Sequence, residues 1–89
     1  MDTIRNKRKI LQQALADIVK ELRLKKKKSI SLSSDEIGIT KSIWADLEKG
    51  KKDPQLSTVW RIAEGLEISP HKLIKRLEEK IEQNFSFLD

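Results

Sequence analysis

Residues 38–54 read GITKSIWADLEKGKKDP, and the parsing of this stretch decides the fold. Gly38 and Gly50 bracket a short segment whose apolar residues Ile43, Trp44 and Leu47 mark one side of a helix. Thr40 is a good N-cap, because its hydroxyl can accept from a first-turn amide. The helix therefore runs from Lys41 to Lys49, and Gly50 ends it by taking the left-handed conformation that closes helices. Lysines follow at once, and Pro54 opens the next turn. A short helix boxed between glycines suits two designs. One is a helix-turn-helix, with the helix after Thr40 lying in the major groove of DNA. The other is a helical hairpin that serves only the core.

The rest of the chain reads as helices joined by short turns, all-α. Ile4, Leu11, Leu15, Ile18 and Leu22 share one face of a long first helix of roughly 20 residues, about 30 Å. The run Lys25 to Lys28 is expected to fray its end. SISLSSDEIG, residues 29–38, reads as a loop and then a short helix over about 31–37 that stops at Gly38. A fourth helix covers about 57–65, with Val59, Ile62, Ala63 and Leu66 inward. Ser69 caps a fifth helix that has Pro70 at its first position, a common start signal. Leu73, Ile74, Leu77 and Ile81 run along it. The tail NFSFLD has no clear period, and there is no internal repeat.

The chain has 89 residues, enough for one small domain, and no cysteine. Disulfides and thiolate metal sites are excluded. No long apolar run exists, so neither a membrane span nor a signal peptide is expected. These features fit a soluble, cytoplasmic protein. The net charge is +5, but unevenly placed. Residues 1–28 carry ten Lys/Arg against three Asp/Glu, or +7; residues 29–89 carry nine against eleven, or −2. The basic end suits an anionic partner, nucleic acid or an acidic membrane surface. A solvated charged helix explains it equally well.

Enzyme chemistry finds no footing. His71 is the only histidine, with no second ligand or triad partner at a useful spacing. Gly38, Gly50 and Gly65 are too far apart for a phosphate-cradling loop. Glu78 and Glu79 are adjacent, so on a helix they face different ways. No cofactor and no metal is expected.

The stretch from Gly38 to Leu73 resembles the Cro and lambdoid-repressor type of helix-turn-helix regulators, the XRE family. That family tends to read G-[VI]-[ST]-x-x-x-[IL]-[ST]-x-[IL]-E-x-G-x-x-x-P-x-L, then an IA-x-x-L helix. Gly38, Ile39, Thr40, Leu47, Glu48, Gly50, Pro54, Leu56, Ile62, Ala63 and Leu66 match in register. The resemblance covers about residues 22–74, leaving extensions 1–21 and 75–89 on a single domain. Some positions depart from it. Ile30 stands at a glutamine that often anchors a phosphate, and Ser33 and Ser34 replace a Leu-Ala pair, which predicts a poorly packed second helix. Lys27 and Lys28 replace a usual Gly-Leu, and Ala45 replaces a short Ser/Thr.

The resemblance implies a compact five-helix lambda-repressor-like domain with extended first and last helices. It implies a regulator, a repressor by preference, that binds double-stranded DNA as a homodimer on a palindromic operator. Carried over by position, base contacts fall to Lys41, Ser42 and Asp46, with Ile43 and Ala45 nearby. Lys41 can donate to guanine, and Asp46 can accept from cytosine or instead orient Lys41 or Lys49. Ile43 suits either a thymine methyl or the core. Thr40 and the free amides beside it offer a small anion site. Lys49, Lys51 and Lys52 fall where the family meets phosphate, and Lys25–Lys28 add long-range attraction to DNA. Arg23 falls on the first-helix arginine that in many members pairs with Glu48. The homodimer is expected through the extensions, by Ile4, Leu11, Leu77, Ile81, Phe85 and Leu88, with an intramolecular clamp as the rival. Two other roles stay open, each with a protein partner: an autoregulatory antitoxin, and a helical adaptor that binds no DNA.

Overall fold

A computed structural model of the chain describes residues 3–88; positions 1–2 and 89 of the expected extensions lie outside them. Among the described residues there are five helices and no strand: α1 (Thr3–Lys25), α2 (Ile30–Ile37), α3 (Lys41–Glu48), α4 (Leu56–Gly65) and α5 (Pro70–Lys80). The longest dimension, 39 Å, is set by α1, whose 23 residues span about 34 Å. None of the described helices is long and apolar enough to cross a membrane.

The core forms where the helical stripes meet. α1 contributes Ala14, Leu15, Ile18, Val19 and Leu22, and α3 contributes Trp44 and Leu47. Ile37 comes from α2, Ile62 and Ala63 from α4, and Leu73 and Leu77 from α5; Leu66, the residue that caps α4, completes the set. Trp44 is fully buried. Gly65 lets α4 approach α2 closely, since a Cβ there would stand 2.6 Å from Cγ2 of Ile37.

Four of the five helices end in the same way. After α2, the amide of Gly38 donates to the carbonyl of Asp35 and that of Ile39 to Ser34, at 3.2 and 3.0 Å. After α3, Gly50 donates to Leu47 and Lys51 to Asp46. This paired closure requires one residue with positive φ. Gly38 and Gly50 supply it, both at φ 73°. α1 and α4 close identically without glycine, through Lys27 at φ 57° and Glu67 at φ 58°.

Several expectations are corrected here. The lysine run does not fray α1. Lys27 donates to Leu24 and Lys28 to Arg23, so the end is capped. α2 starts at Ile30, because Ser29 caps it by accepting from the amide of Leu32 at 3.0 Å. Ser33 and Ser34 are buried rather than poorly packed, as small side chains let α2 sit close to its neighbours. Ser34 Oγ donates to the carbonyl of Ser31; Ser33 Oγ has no partner. Ser69 holds the N-cap position of α5, yet its hydroxyl makes no cap bond. Finally, α5 stops at Lys80. Ile81 turns to extended backbone (φ −88°, ψ 162°) and packs against the core, so Phe85 and Leu88 do not continue a helical face.

Candidate nucleic-acid interface

The exposed side of α3 and the loop after it form a basic surface. Thr40 sits at the N-cap with extended backbone, and its Oγ1 accepts from the amide of Ile43 at 3.1 Å. The first-turn amides of Lys41 and Ser42 have no carbonyl a turn below them to bond. Lys41, Ser42 and Lys49 are exposed, while Ala45 and Asp46 are half-buried. Ile43 lies at the edge of the packed side, 39% exposed. Lys51 and Lys52 are exposed in the loop that follows. The ion pairs among the described residues do not join Asp46 to Lys41 or Lys49.

α3 is held from behind by a buried polar cluster. Arg23 of α1 donates through Nε to Glu48 Oε2 at 2.6 Å and through Nη2 to Oε1 at 2.9 Å. Its remaining nitrogen, Nη1, donates to the carbonyl of Lys28 at 2.8 Å. Trp44 Nε1 also donates to Glu48 Oε2, at 2.6 Å. The Arg23 and Glu48 side chains are only 10% and 6% exposed. Burial by itself would raise the carboxyl pKa of Glu48. The hydrogen bonds from Arg23 and Trp44, with the charges of Arg23 and Lys20, outweigh it and hold the carboxyl below its usual range. The hydrogen bond with Glu48 raises the Arg23 guanidinium in turn, against the effect of burial. Both groups are charged at neutral pH, and the pair fixes the angle of α3 to α1.

Two further clamps had no clear signal in the sequence. Arg61 Nη1 donates to the carbonyl of Ile37 at 2.9 Å, pinning the turn before α3 to α4. Lys28 Nζ donates to Glu36 Oε1 at 2.9 Å and to the carbonyl of Gly65 at 3.2 Å. Lys26 pairs with Glu67 at 3.4 Å. Lys26 and Lys28 are therefore engaged within the fold, which leaves Lys25 and Lys27 to supply any diffuse attraction. The Trp44–Glu48 bond did have a signal, because residues four apart on a helix are neighbours.

The residues expected at a dimer surface separate into two groups. Leu77 is buried in its own core, and Leu11 and Ile81 pack against it. Ile4 and Leu88 are exposed, and Phe85 is half-buried with its ring edge-on to Phe87 at 5.4 Å. Another exposed apolar face lies on α4 and α5. Leu56 is 74% and Trp60 53% exposed there, beside Val59, Pro70, His71 and Ile74.

The Helix-turn-helix family model HTH_3 matches residues 19–73. The chain belongs to the HTH_3 family. Within the matched residues, α2 and α3 are the two short helices joined by the Gly38 turn. Solved structures agree with the fold. The clp gene regulator ClgR from Corynebacterium glutamicum superposes with a TM-score of 0.74 at 15% identity, over 81% of this chain and 94% of that one. An HTH_3 family transcriptional regulator from Vibrio cholerae superposes with a TM-score of 0.74 at 26% identity. That match covers 92% of this chain but 46% of the Vibrio protein, so it reaches beyond residues 19–73. A comparison with curated proteins gives no match.

Proposed function

We propose that the protein is a cytoplasmic transcription regulator that binds double-stranded DNA in a sequence-specific way and represses by occupying a palindromic operator as a homodimer. Family membership and the regulators among its structural neighbours support the DNA-binding role, and favour it over an enzyme. The observation that carries the reading is the exposure of Lys41 and Ser42 on a helix whose opposite side is locked by Arg23, Trp44 and Glu48. A rigid mount of this kind sets donors and acceptors at a fixed angle in the major groove. Lys41 and Ser42 then read bases, with Ala45 and Ile43 toward thymine methyls and Asp46 toward cytosine. Thr40, Lys49, Lys51 and Lys52 meet phosphates, which position the protein without reading sequence. Dimerisation is supported by the need to span two half-sites about 34 Å apart.

Selection of bound duplexes from a random pool tests this reading. A palindromic consensus is expected. Lys41→Ala should relax it, while a double Lys51→Ala, Lys52→Ala variant should keep it and weaken binding to all duplexes alike. No enrichment from the pool, or loss of consensus only in the loop variant, would reject the assignment. A second reading draws on the exposed apolar face of α4 and α5. It gives the protein a protein partner, either as an autoregulatory antitoxin that still binds DNA or as a helical adaptor that binds none; the adaptor gains if the chain shows no salt-dependent binding to any duplex.

A further inference from the structure

The N-terminal half of α1 has no place in the surface described so far. Residues 3–16 hold Arg5, Lys7, Arg8 and Lys9 and no acidic residue. The structure places this segment against the loop that follows α3. A Cβ on Gly50 would stand 2.5 Å from Oε1 of Gln13, so α1 passes directly over the end of α3 at that point. Five residues earlier, Arg8 Nε lies 3.5 Å from Oδ2 of Asp53, in the same loop. Residues four apart on a helix share a face, so Lys9 and Arg5 fall in one row with Gln13, on the side that meets Gly50. The row runs about 12 Å past the Gly50 contact. Lys51 and Lys52 lie between these two contacts in the chain, and Arg8 and Lys9 are exposed beside them.

We propose that the first half of α1 is a second phosphate-binding segment, in which Lys9 and Arg8, with Arg5 beyond them, follow the DNA strand outward from the phosphates met by Lys51 and Lys52. This rests on the DNA-binding reading of α3. The physical argument is charge continuity. Lys49, Lys51, Lys52, Arg8 and Lys9 are all exposed, the acid within the loop, Asp53, faces Arg8, and Asp17 at the inner end of the row is bonded by Gln13. A duplex presents one charge per 3.4 Å of axis on each strand, so the added length extends the footprint by about three or four base pairs. The segment carries no base-reading geometry, so its contribution is to affinity and reach.

Anisotropy of a labelled, long random-sequence duplex over a KCl series gives the test. The double variant Arg8→Ala, Lys9→Ala should bind more weakly at low salt, with a log–log salt slope shallower by about 1.8, or about 0.9 per contact. The charge-keeping double variant Arg8→Lys, Lys9→Arg should keep the wild-type slope. Asp53→Asn breaks the Arg8–Asp53 pair but leaves the cation, and it should keep or steepen the slope. Circular dichroism and melting check that each variant is folded. An unchanged slope in the alanine variant, with the wild type binding normally, overturns the proposal and leaves the DNA-binding reading intact. Equal losses in Asp53→Asn also overturn it, since Arg8 would then act only by holding the loop. A wild type that binds no duplex in a salt-dependent way removes both readings together. Binding to phosphatidylserine–phosphatidylcholine vesicles that needs Arg8 and Lys9, with duplex binding unaffected, overturns it in favour of a membrane surface.

Discussion

The two halves of α1 are one continuous helix with opposite roles. From Ala14 onward it buries Leu15, Ile18, Val19 and Leu22 and locks Arg23 against α3. Before Ala14, Leu11 and Gln12 are half-buried, while Ile4 and Ile10 are exposed. Each half carries an arginine paired with a carboxylate across to the α3 region. The contrast between those pairs teaches more than their number. Arg23–Glu48 is bidentate and nearly sealed from water. Arg8–Asp53 is a single 3.5 Å contact between side chains 55% and 56% exposed. Water screens the second pair and leaves its side chains mobile. The first is already desolvated, so removing one partner strands the other charge.

The largest expected effect attacks that contrast directly. Glu48→Ala should cost about 3–5 kcal/mol of unfolding free energy, whereas Arg8→Ala should cost no more than about 1 kcal/mol. Urea denaturation followed by helical ellipticity measures both, and similar losses would erase the distinction. Acid should sharpen it. The folded-state carboxyl of Glu48 is depressed, so its contribution is present above the usual glutamate range and is lost as pH falls through the folded value. Glu48→Gln should therefore flatten the fall in stability below about pH 4.5, while Asp53→Asn should leave the Glu48 part of it in place.

Next in size comes the apolar contrast. Ile18→Ala should cost about 2–5 kcal/mol by leaving a cavity in the core. Ile10→Ala, on the exposed half, should stay within about 0.5 kcal/mol. Thermal melting of the two variants checks this, and a large loss from Ile10→Ala would mean that the first half is packed more firmly than the structure indicates. The smallest effect lies at the far end of α1. Lys27→Gly should stabilise by about 0.5 kcal/mol, because relief of a left-handed side-chain conformation is partly offset by the greater chain freedom of glycine. Lys26→Gly, a residue away from the positive-φ position, should destabilise instead.

Much of the geometry of α3 and its flanking turns was legible because its signals are local. Thr40 before an apolar helix, Gly50 after it and the lysines beyond lie within one short stretch, and each has a mechanism that acts over a single turn. Arg23 and Glu48 are 25 residues apart, and only the family resemblance joined them in advance. Lys28 was misread for a related reason. A lysine run predicts solvated charge, yet Lys28 reaches Glu36 and the carbonyl of Gly65 because the α1 cap turns it inward. Ser33 and Ser34 misled in the opposite direction: small polar residues on α2 signalled weak packing, but small volume is what brings α2 close to its neighbours.

By itself, the sequence determined the all-α class, the number of helices, the start of α5 and, to within a residue, both ends of α2, α3 and α4, because 3.6-residue periodicity, N-caps and glycine closures depend only on neighbours a few residues away. It did not decide which apolar residues are covered. On α4, Leu56, Val59, Trp60 and Ala63 fit one helical stripe as well as Val59, Ile62, Ala63 and Leu66 fit another. Packing against α2 and α5 chose the second, leaving Leu56 and Trp60 outside. Nor did it decide that Leu11, Leu77 and Ile81 would join the core of their own chain, or that the basic start of α1 would lie over the loop after α3. Burial and charge proximity are set by which surfaces meet, and helices joined by short turns can meet in more than one way until the whole core closes.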